Sequence, residues 1–288
     1  MAGYGAKRVG ALKAADSSVV TSLVINLTMP AFIFVNTHNK PLVAAMVKAP
    51  ALGFAVQMVV LGLAYMAARA MRLNRRTTGA LMLVAAFGNT GFLGYPVVAA
   101  AFPGDEQAIL TAVLFDSFAM ALALNTVGVA VAASFAGSEF EWRSLLEFLR
   151  TPLFPATVVA LILKDVYIPG VIMTTLDYLA AGTVPLAMIS IGLNLSTGSL
   201  KQHPGAVGAA VALKMIALPL LMTVFLPLVG VTGNVRQVVI LESAMPSAVF
   251  AGVVAARYGS NGAFAAGAVF LTTLLSVAWI PVVLMLIG

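Results

Sequence analysis

The chain has 288 residues, of which 61% are hydrophobic and only 9% charged, and its mean hydropathy is +1.04. A soluble domain carries about 25% charged residues, so this composition excludes a water-soluble globule and points to an all-α integral membrane protein in a lipid bilayer. The net charge of +6 is spread over short loops rather than gathered in a patch, which argues against nucleic acid as a partner, and the absence of cysteine excludes disulfides, thiolate metal sites and a catalytic thiol.

Met1–Arg8 reads as the basic cytoplasmic end of a helix with no signal peptide before it. About 20 apolar residues cross a bilayer. The apolar runs place helices at Ser17–Thr37, Pro41–Ala70, Thr77–Phe102, Asp105–Ala136, Pro152–Ile168, Val171–Leu195, Pro204–Val229, Gly233–Tyr258 and Asn261–Ile287, nine predicted transmembrane helices in all. Turn residues separate them, among them Pro103-Gly104-Asp105, His203-Pro204-Gly205 and Gly259-Ser260-Asn261-Gly262. Glu139–Arg150, with Trp142, Leu145, Leu146 and Phe148, reads as an amphipathic helix on the cytoplasmic interface.

The nine spans sort the basic residues. Lys7, Arg8, Lys13, Arg69, Arg72, Arg75, Arg76, Arg143, Arg150, Lys201 and Arg257 fall on one side, and Lys40, Lys48, Lys164 and Arg236 on the other, while Lys214 stays inside a span. Basic loops stay in the cytoplasm. The expected protein is therefore multi-pass in the cytoplasmic membrane, with its N-terminus cytoplasmic and its C-terminus outside.

Two spans carry breaks. Gly88-Asn89-Thr90-Gly91-Phe92-Leu93-Gly94-Tyr95-Pro96 interrupts the third, and Glu242-Ser243-Ala244-Met245-Pro246-Ser247 the eighth. A shift of 156 positions lays Val97–Ala100 on Val253–Ala256 and Ala112-Val113 on Ala268-Val269. A shift of 155 lays Met29-Pro30-Ala31-Phe32 on Val184-Pro185-Leu186-Ala187. Five crossings separate the members of each pair, so they run in opposite directions, as in an inverted repeat. The expected organisation is a first repeat over 1–137, a cytoplasmic amphipathic linker over 138–151 and a second repeat over 152–288. The first repeat is one helix short of five, so a late start or a lost helix is expected.

The stretches Ile25–Phe34, Gly88–Pro96, Pro185–Gly192 and Ala244–Val249, in this order, resemble the auxin efflux carrier family of secondary transporters, relatives of the bile acid:sodium symporter fold. The resemblance implies ten helices in two inverted five-helix repeats. It also implies two Pro-broken helices that cross at mid-membrane and hold a small organic anion, such as a dicarboxylate or an auxin-like acid, often in a homodimer. Carried over, the substrate-binding residues are Asn89, Thr90, Pro96, Met245, Pro246 and Ser247.

Asn89 can offer both donor and acceptor and Thr90 a hydroxyl, either to substrate or to the backbone freed by the break. A half-helix starting near Pro96 would aim its positive dipole end at a carboxylate. Asp116 lies deep in the fourth span, where a carboxylate is expensive. It is a candidate proton acceptor for coupling, or else a hydrogen-bonded structural group. Lys214 and Glu242 are the other deep charges. They could pair with each other, or Lys214 could attract the anion. His38 and His203 sit in turns without ligand partners, so no metal site is expected, and no phosphate-cradling loop suggests ATP. The expectation is a permease working by alternating access, coupled to H+ or Na+, with no cofactor and no enzymatic activity. Its rivals are an N-terminally truncated, non-transporting remnant and an intramembrane enzyme.

Overall fold

Asn74, Asp105 and Asn261 each open a helix by accepting from the backbone two or three residues on. The acceptances come from Thr77 N at 2.9 Å, from Gln107 N at 2.9 Å and Ala108 N at 3.2 Å, and from Phe264 N at 3.0 Å. These are the side chains that satisfy the free N–H groups of a helix start. The computed structural model describes residues 2–13, 15–137, 146, 149–194 and 203–288. Among them all regular structure is helical, apart from one isolated bridge between Gly88 and Ser247. Most of the expected linker over 138–151 lies outside the described residues, as do Arg143, Leu195 and Lys201.

Among the described residues, six helices are long and apolar enough to cross a bilayer: Asp16–Thr37, Ala44–Ala70, Glu106–Ala136, Gly170–Leu193, Pro204–Leu228 and Gly262–Ile287. The other three expected spans differ. The third divides into Arg75–Ala86 and Thr90–Ala101, and the eighth into Gly233–Ser243 and Val249–Arg257. The fifth shortens to Leu153–Ile162. At 1.5 Å per residue those ten residues reach about 15 Å, half of a hydrocarbon core. Exposed Val47, Met66, Leu220, Val224, Val277 and Met285 give the molecule an apolar outer face, which is what lipid requires.

Among the described residues, five turns are widened to i→i+5 hydrogen bonds: Val24–Thr28, Thr90–Gly94, Asp116–Ala121, Leu124–Gly128 and Ala212–Ala217. Three of them end two residues before a proline, namely Pro30, Pro96 and Pro219. A proline inside a helix lacks its N–H and its ring strikes the carbonyl four residues back. The wider turn moves that carbonyl aside, so the helix passes through the proline. The first break therefore lies at Phe87–Asn89, ahead of Pro96, and not at Pro96 as the sequence suggested.

The helices pack as two groups. Ala2–Arg8, Asp16–Thr37, Leu153–Ile162 and Gly170–Leu193 lie against one another, and the remaining helices form a larger bundle that holds both interrupted spans. Gly3 touches the main chain of the first group so closely that a Cβ there would overlap the Ile189 carbonyl. Across the seam Phe32 stacks on Tyr95 at 5.6 Å, and the Ser117 and Thr157 hydroxyls meet at 3.0 Å. The turn Thr90–Gly94 also packs against Thr183–Asn194, which sets the first interruption at this seam.

Candidate functional site at the crossing of two interrupted helices

The loose ends of the two interrupted spans are fastened to each other. After Ala86 the chain extends through Phe87 (φ −104°, ψ 124°), and after Ser243 it runs through Ala244–Ala248 before helix resumes. Asn89 N donates to the Pro246 carbonyl at 2.8 Å, and Ala248 N donates to the Phe87 carbonyl at 2.9 Å. Gly88 and Ser247 face each other as an antiparallel pair. Backbone groups freed in a membrane need protein partners, and here each break supplies them to the other.

Side chains complete the junction. Ser247 is fully buried, its hydroxyl donates to the Val84 carbonyl at 2.6 Å, and its N–H donates to Thr272 Oγ1 at 3.2 Å. The Asn89 carbonyl receives Leu93 N and Gly94 N, so Asn89 opens the half-helix Thr90–Ala101. Its side-chain Nδ2 is buried and has no hydrogen-bond partner among the described residues. Replacing Ser247 by alanine removes one buried hydrogen bond at the junction, worth about 1 kcal/mol. We expect thermal unfolding in detergent to start a few degrees lower, and an unchanged transition would deny this bond a structural role.

Three ionisable side chains reach the first break from three different spans, each at a glycine. Asp116, at the head of a widened turn, accepts from the Thr90 hydroxyl and, at 2.9 Å, from the Tyr95 hydroxyl, with Gly91 beside it. Lys214, itself in a widened turn and 1% exposed, donates to the Ser243 carbonyl at 2.6 Å. A Cβ on Gly88 would come within 2.8 Å of Lys214 Cε and 3.0 Å of Nζ. Glu242 has no exposed surface, and neither carboxylate oxygen has a hydrogen-bond partner among the described residues. A Cβ on Gly94 would overlap its carboxylate.

The structure thus gathers Asn89, Thr90, Asp116, Lys214, Glu242, Met245, Pro246 and Ser247 around one crossing. Pro96 is also buried, but one turn further along the half-helix. No hydrogen bond joins Lys214 to Glu242, the pairing considered from sequence. Each is drawn instead to its own glycine, and the ammonium takes a main-chain carbonyl. Tyr95, Thr272 and the glycine series Gly88, Gly91 and Gly94 were not singled out as site residues. The three-residue spacing of those glycines was the available signal. His38 lies elsewhere, against the Val166 carbonyl at 2.9 Å. Two surface clefts, one lined by Asn74–Arg76 with Gly259–Gly262 and the other by residues including His38 and Asp177, involve none of the crossing residues.

A family model described as membrane transport protein matches residues 1–141 and 138–284. The chain belongs to this family of membrane transport proteins. It is the auxin efflux carrier family that the motifs resembled. The chain is similar to an uncharacterized transporter of Methanocaldococcus jannaschii, 31% identical over 285 residues, covering 96% of this chain and 91% of the relative. An uncharacterized transporter of Methanothermobacter thermautotrophicus is 28% identical over 282 residues, covering 97% and 92%. A Rhizobium meliloti protein named "Putative malonate transporter" is 27% identical over 281 residues, covering 93% and 86%. This family member is accordingly a multi-pass transmembrane permease, and the crossing described above is the polar centre of its larger bundle.

Proposed function

We propose that the chain is a secondary active transporter that moves a small organic anion across the cytoplasmic membrane by alternating access. The single observation that carries this reading is the main-chain junction of the two interrupted helices, Asn89 to Pro246 and Ala248 to Phe87, ringed by buried polar and charged side chains. Paired interruptions in two halves are the signature of a carrier's binding site. Asn89 Nδ2, a donor without an acceptor among the described residues, is suited to a carboxylate. The Rhizobium relative's name supports a dicarboxylate such as malonate as the substrate class.

Two further observations support an inverted repeat over 1–137 and 152–288. Asp116 holds the Thr90 hydroxyl beside the first break, and Thr272, 156 positions later, holds the Ser247 N–H beside the second. The expected nine spans then comprise the six long helices, the two interrupted ones and the short Leu153–Ile162. In this reading the larger bundle shifts against the smaller one, Asp116 at the seam carries the coupling proton, and the N-terminus is cytoplasmic with the C-terminus outside.

The test is uptake by proteoliposomes across a panel of labelled carboxylic acids that includes malonate. We expect saturable uptake of at least one acid and its loss in Asn89→Ala, with unfolding behaviour close to that of the parent. Absence of uptake for every acid by well-folded protein would overturn the carrier reading. Full uptake by Asn89→Ala would remove Asn89 from the site.

A further inference from the structure

Gln57 stands in the middle of Ala44–Ala70 and is 2% exposed, yet its amide commits neither end to a strong partner. Nε2 donates at 3.4 Å to the thioether sulfur of Met120, and Oε1 has no hydrogen-bond partner among the described residues. The Gly88 N–H, at the first break, donates to the same sulfur, also at 3.4 Å. A thioether is a weak acceptor, whereas buried polar groups normally find good partners. Donors from two spans therefore meet on an atom that satisfies neither well. The next residue, Asn89, is 5% exposed and holds another donor, Nδ2, without an acceptor among the described residues. Lys214 Nζ borders the same glycine, 3.0 Å from where a Cβ on Gly88 would stand. The carboxyl groups lie further along the half-helix, Asp116 beside Gly91 and Glu242 beside Gly94. Its start is a place of donors, short of an oxygen to receive them.

We propose that the Gly88 N–H and the Gln57 amide bind one carboxylate of the transported anion, and that the Met120 sulfur holds their place in this structure. Asn89 Nδ2 is one residue away, so the two ends of a short dicarboxylate engage Asn89 and this pair together. Methionine is unbranched and flexible. Its sulfur swings aside, and the carboxylate takes over both hydrogen bonds. The exchange is favourable because N–H groups bind a charged oxygen more strongly than a neutral acceptor. Gln57 then sets specificity and does not brace the fold, since a brace would spend both ends of its amide on protein partners. This subsite rests on the carrier reading of the crossing and adds to it the groups that receive the second carboxylate.

The experiment titrates purified full-length protein with sodium malonate, balanced with sodium chloride to constant ionic strength, and follows thermal unfolding, which reads binding without transport. A ligand that binds only the folded state raises its stability by mass action. The parent is expected to show a saturable rise in unfolding temperature. Gln57→Leu removes the donor and should need at least about tenfold more malonate for half of that rise. Met120→Leu keeps the volume but offers no acceptor, so it should unfold earlier without malonate and need less of it than the parent. Both substitutions delete the bond between Gln57 and Met120, so a bracing role for that bond would weaken them alike. Any result other than weaker binding by Gln57→Leu and tighter binding by Met120→Leu overturns the proposal, and so does a parent that malonate fails to stabilise. Should Gln57→Leu not fold, Gln57→Met, of similar length and without a donor, is read in its place. Malonate binding with these differences but no uptake of any acid would count against the carrier reading alone. Saturable acid uptake that Gln57→Leu leaves at the parental KM would keep that reading and remove this subsite.

Discussion

Gly94→Val is expected to abolish uptake and to lower the unfolding temperature, while leaving the chain in the membrane. A Cβ at position 94 would overlap Glu242 Oε2 and stand 2.6 Å from Oε1. The Glu242 carboxylate has no exposed surface into which to retreat. Overpacking a tight interior costs about 1–3 kcal/mol, and each kcal/mol lowers the unfolding temperature by about 2–4 °C in chains approaching this size. Displacing Glu242 also disturbs the start of the half-helix at the crossing itself, so uptake should fall by more than the stability change alone would produce. Gly62→Ala is the matched control. It lies on the exposed side of Ala44–Ala70 with nothing within 4 Å of the added methyl, and it should behave as the parent or slightly better, because alanine favours helix. Parental uptake by Gly94→Val would show that the contact between Gly94 and Glu242 imposes no constraint.

Asp116 should give the second large effect, and two substitutions separate its roles. Asp116→Ala takes the acceptor away from the Thr90 and Tyr95 hydroxyls. These two hydrogen bonds hold the half-helix, and buried hydrogen bonds contribute about 0.5–1.5 kcal/mol each to stability, so the unfolding temperature should drop by several degrees and uptake should fall sharply. Asp116→Asn keeps the shape and an acceptor but cannot carry a proton. If Asp116 is the coupling group, Asp116→Asn should lose uptake driven by an imposed proton gradient yet retain exchange of labelled for unlabelled acid. Equal loss of both processes would make Asp116 a brace for the half-helix. Full gradient-driven uptake would remove it from coupling altogether.

What the sequence made legible follows from how much each feature stands out against an apolar background. The two interruptions were visible because Gly88-Asn89-Thr90-Gly91 and Ser243-Ala244-Met245-Pro246 contain residues that an apolar helix seldom needs. Asp116, Lys214 and Glu242 were visible because a charge inside a span has few innocent explanations. Their partners were not. That Asp116 meets Thr90 and Tyr95, or that Lys214 turns toward Ser243, depends on the rotation of each helix against its neighbours, which hydropathy does not encode.

Pro96 misled for a local reason. Proline reads as a break, yet the widened turn Thr90–Gly94 absorbs it and the discontinuity moves to Phe87–Asn89. The span expected at Pro152–Ile168 misled for another. Its apolar character continues to Leu163 and resumes at Val166, but the helix ends at Ile162, ahead of Lys164-Asp165. Hydropathy records the solvent a segment tolerates and is silent on where its hydrogen-bond ladder stops.

The junction between the two interruptions also constrains how the molecule can move. Main-chain bonds tie residues 87–89 to residues 246–248, so neither interrupted rod can travel without the other. In the proposed cycle the larger bundle would therefore shift as a single piece, and the work of that shift would fall on its boundary with the smaller one. That boundary includes a stacked ring pair, Phe32 on Tyr95, and a hydroxyl pair, Ser117 with Thr157. Rings slip over one another and hydroxyls exchange partners readily. The resistance there resembles sliding friction more than the opening of a latch, so the pace of the cycle should respond to the smoothness of this surface more than to the strength of any one bond across it.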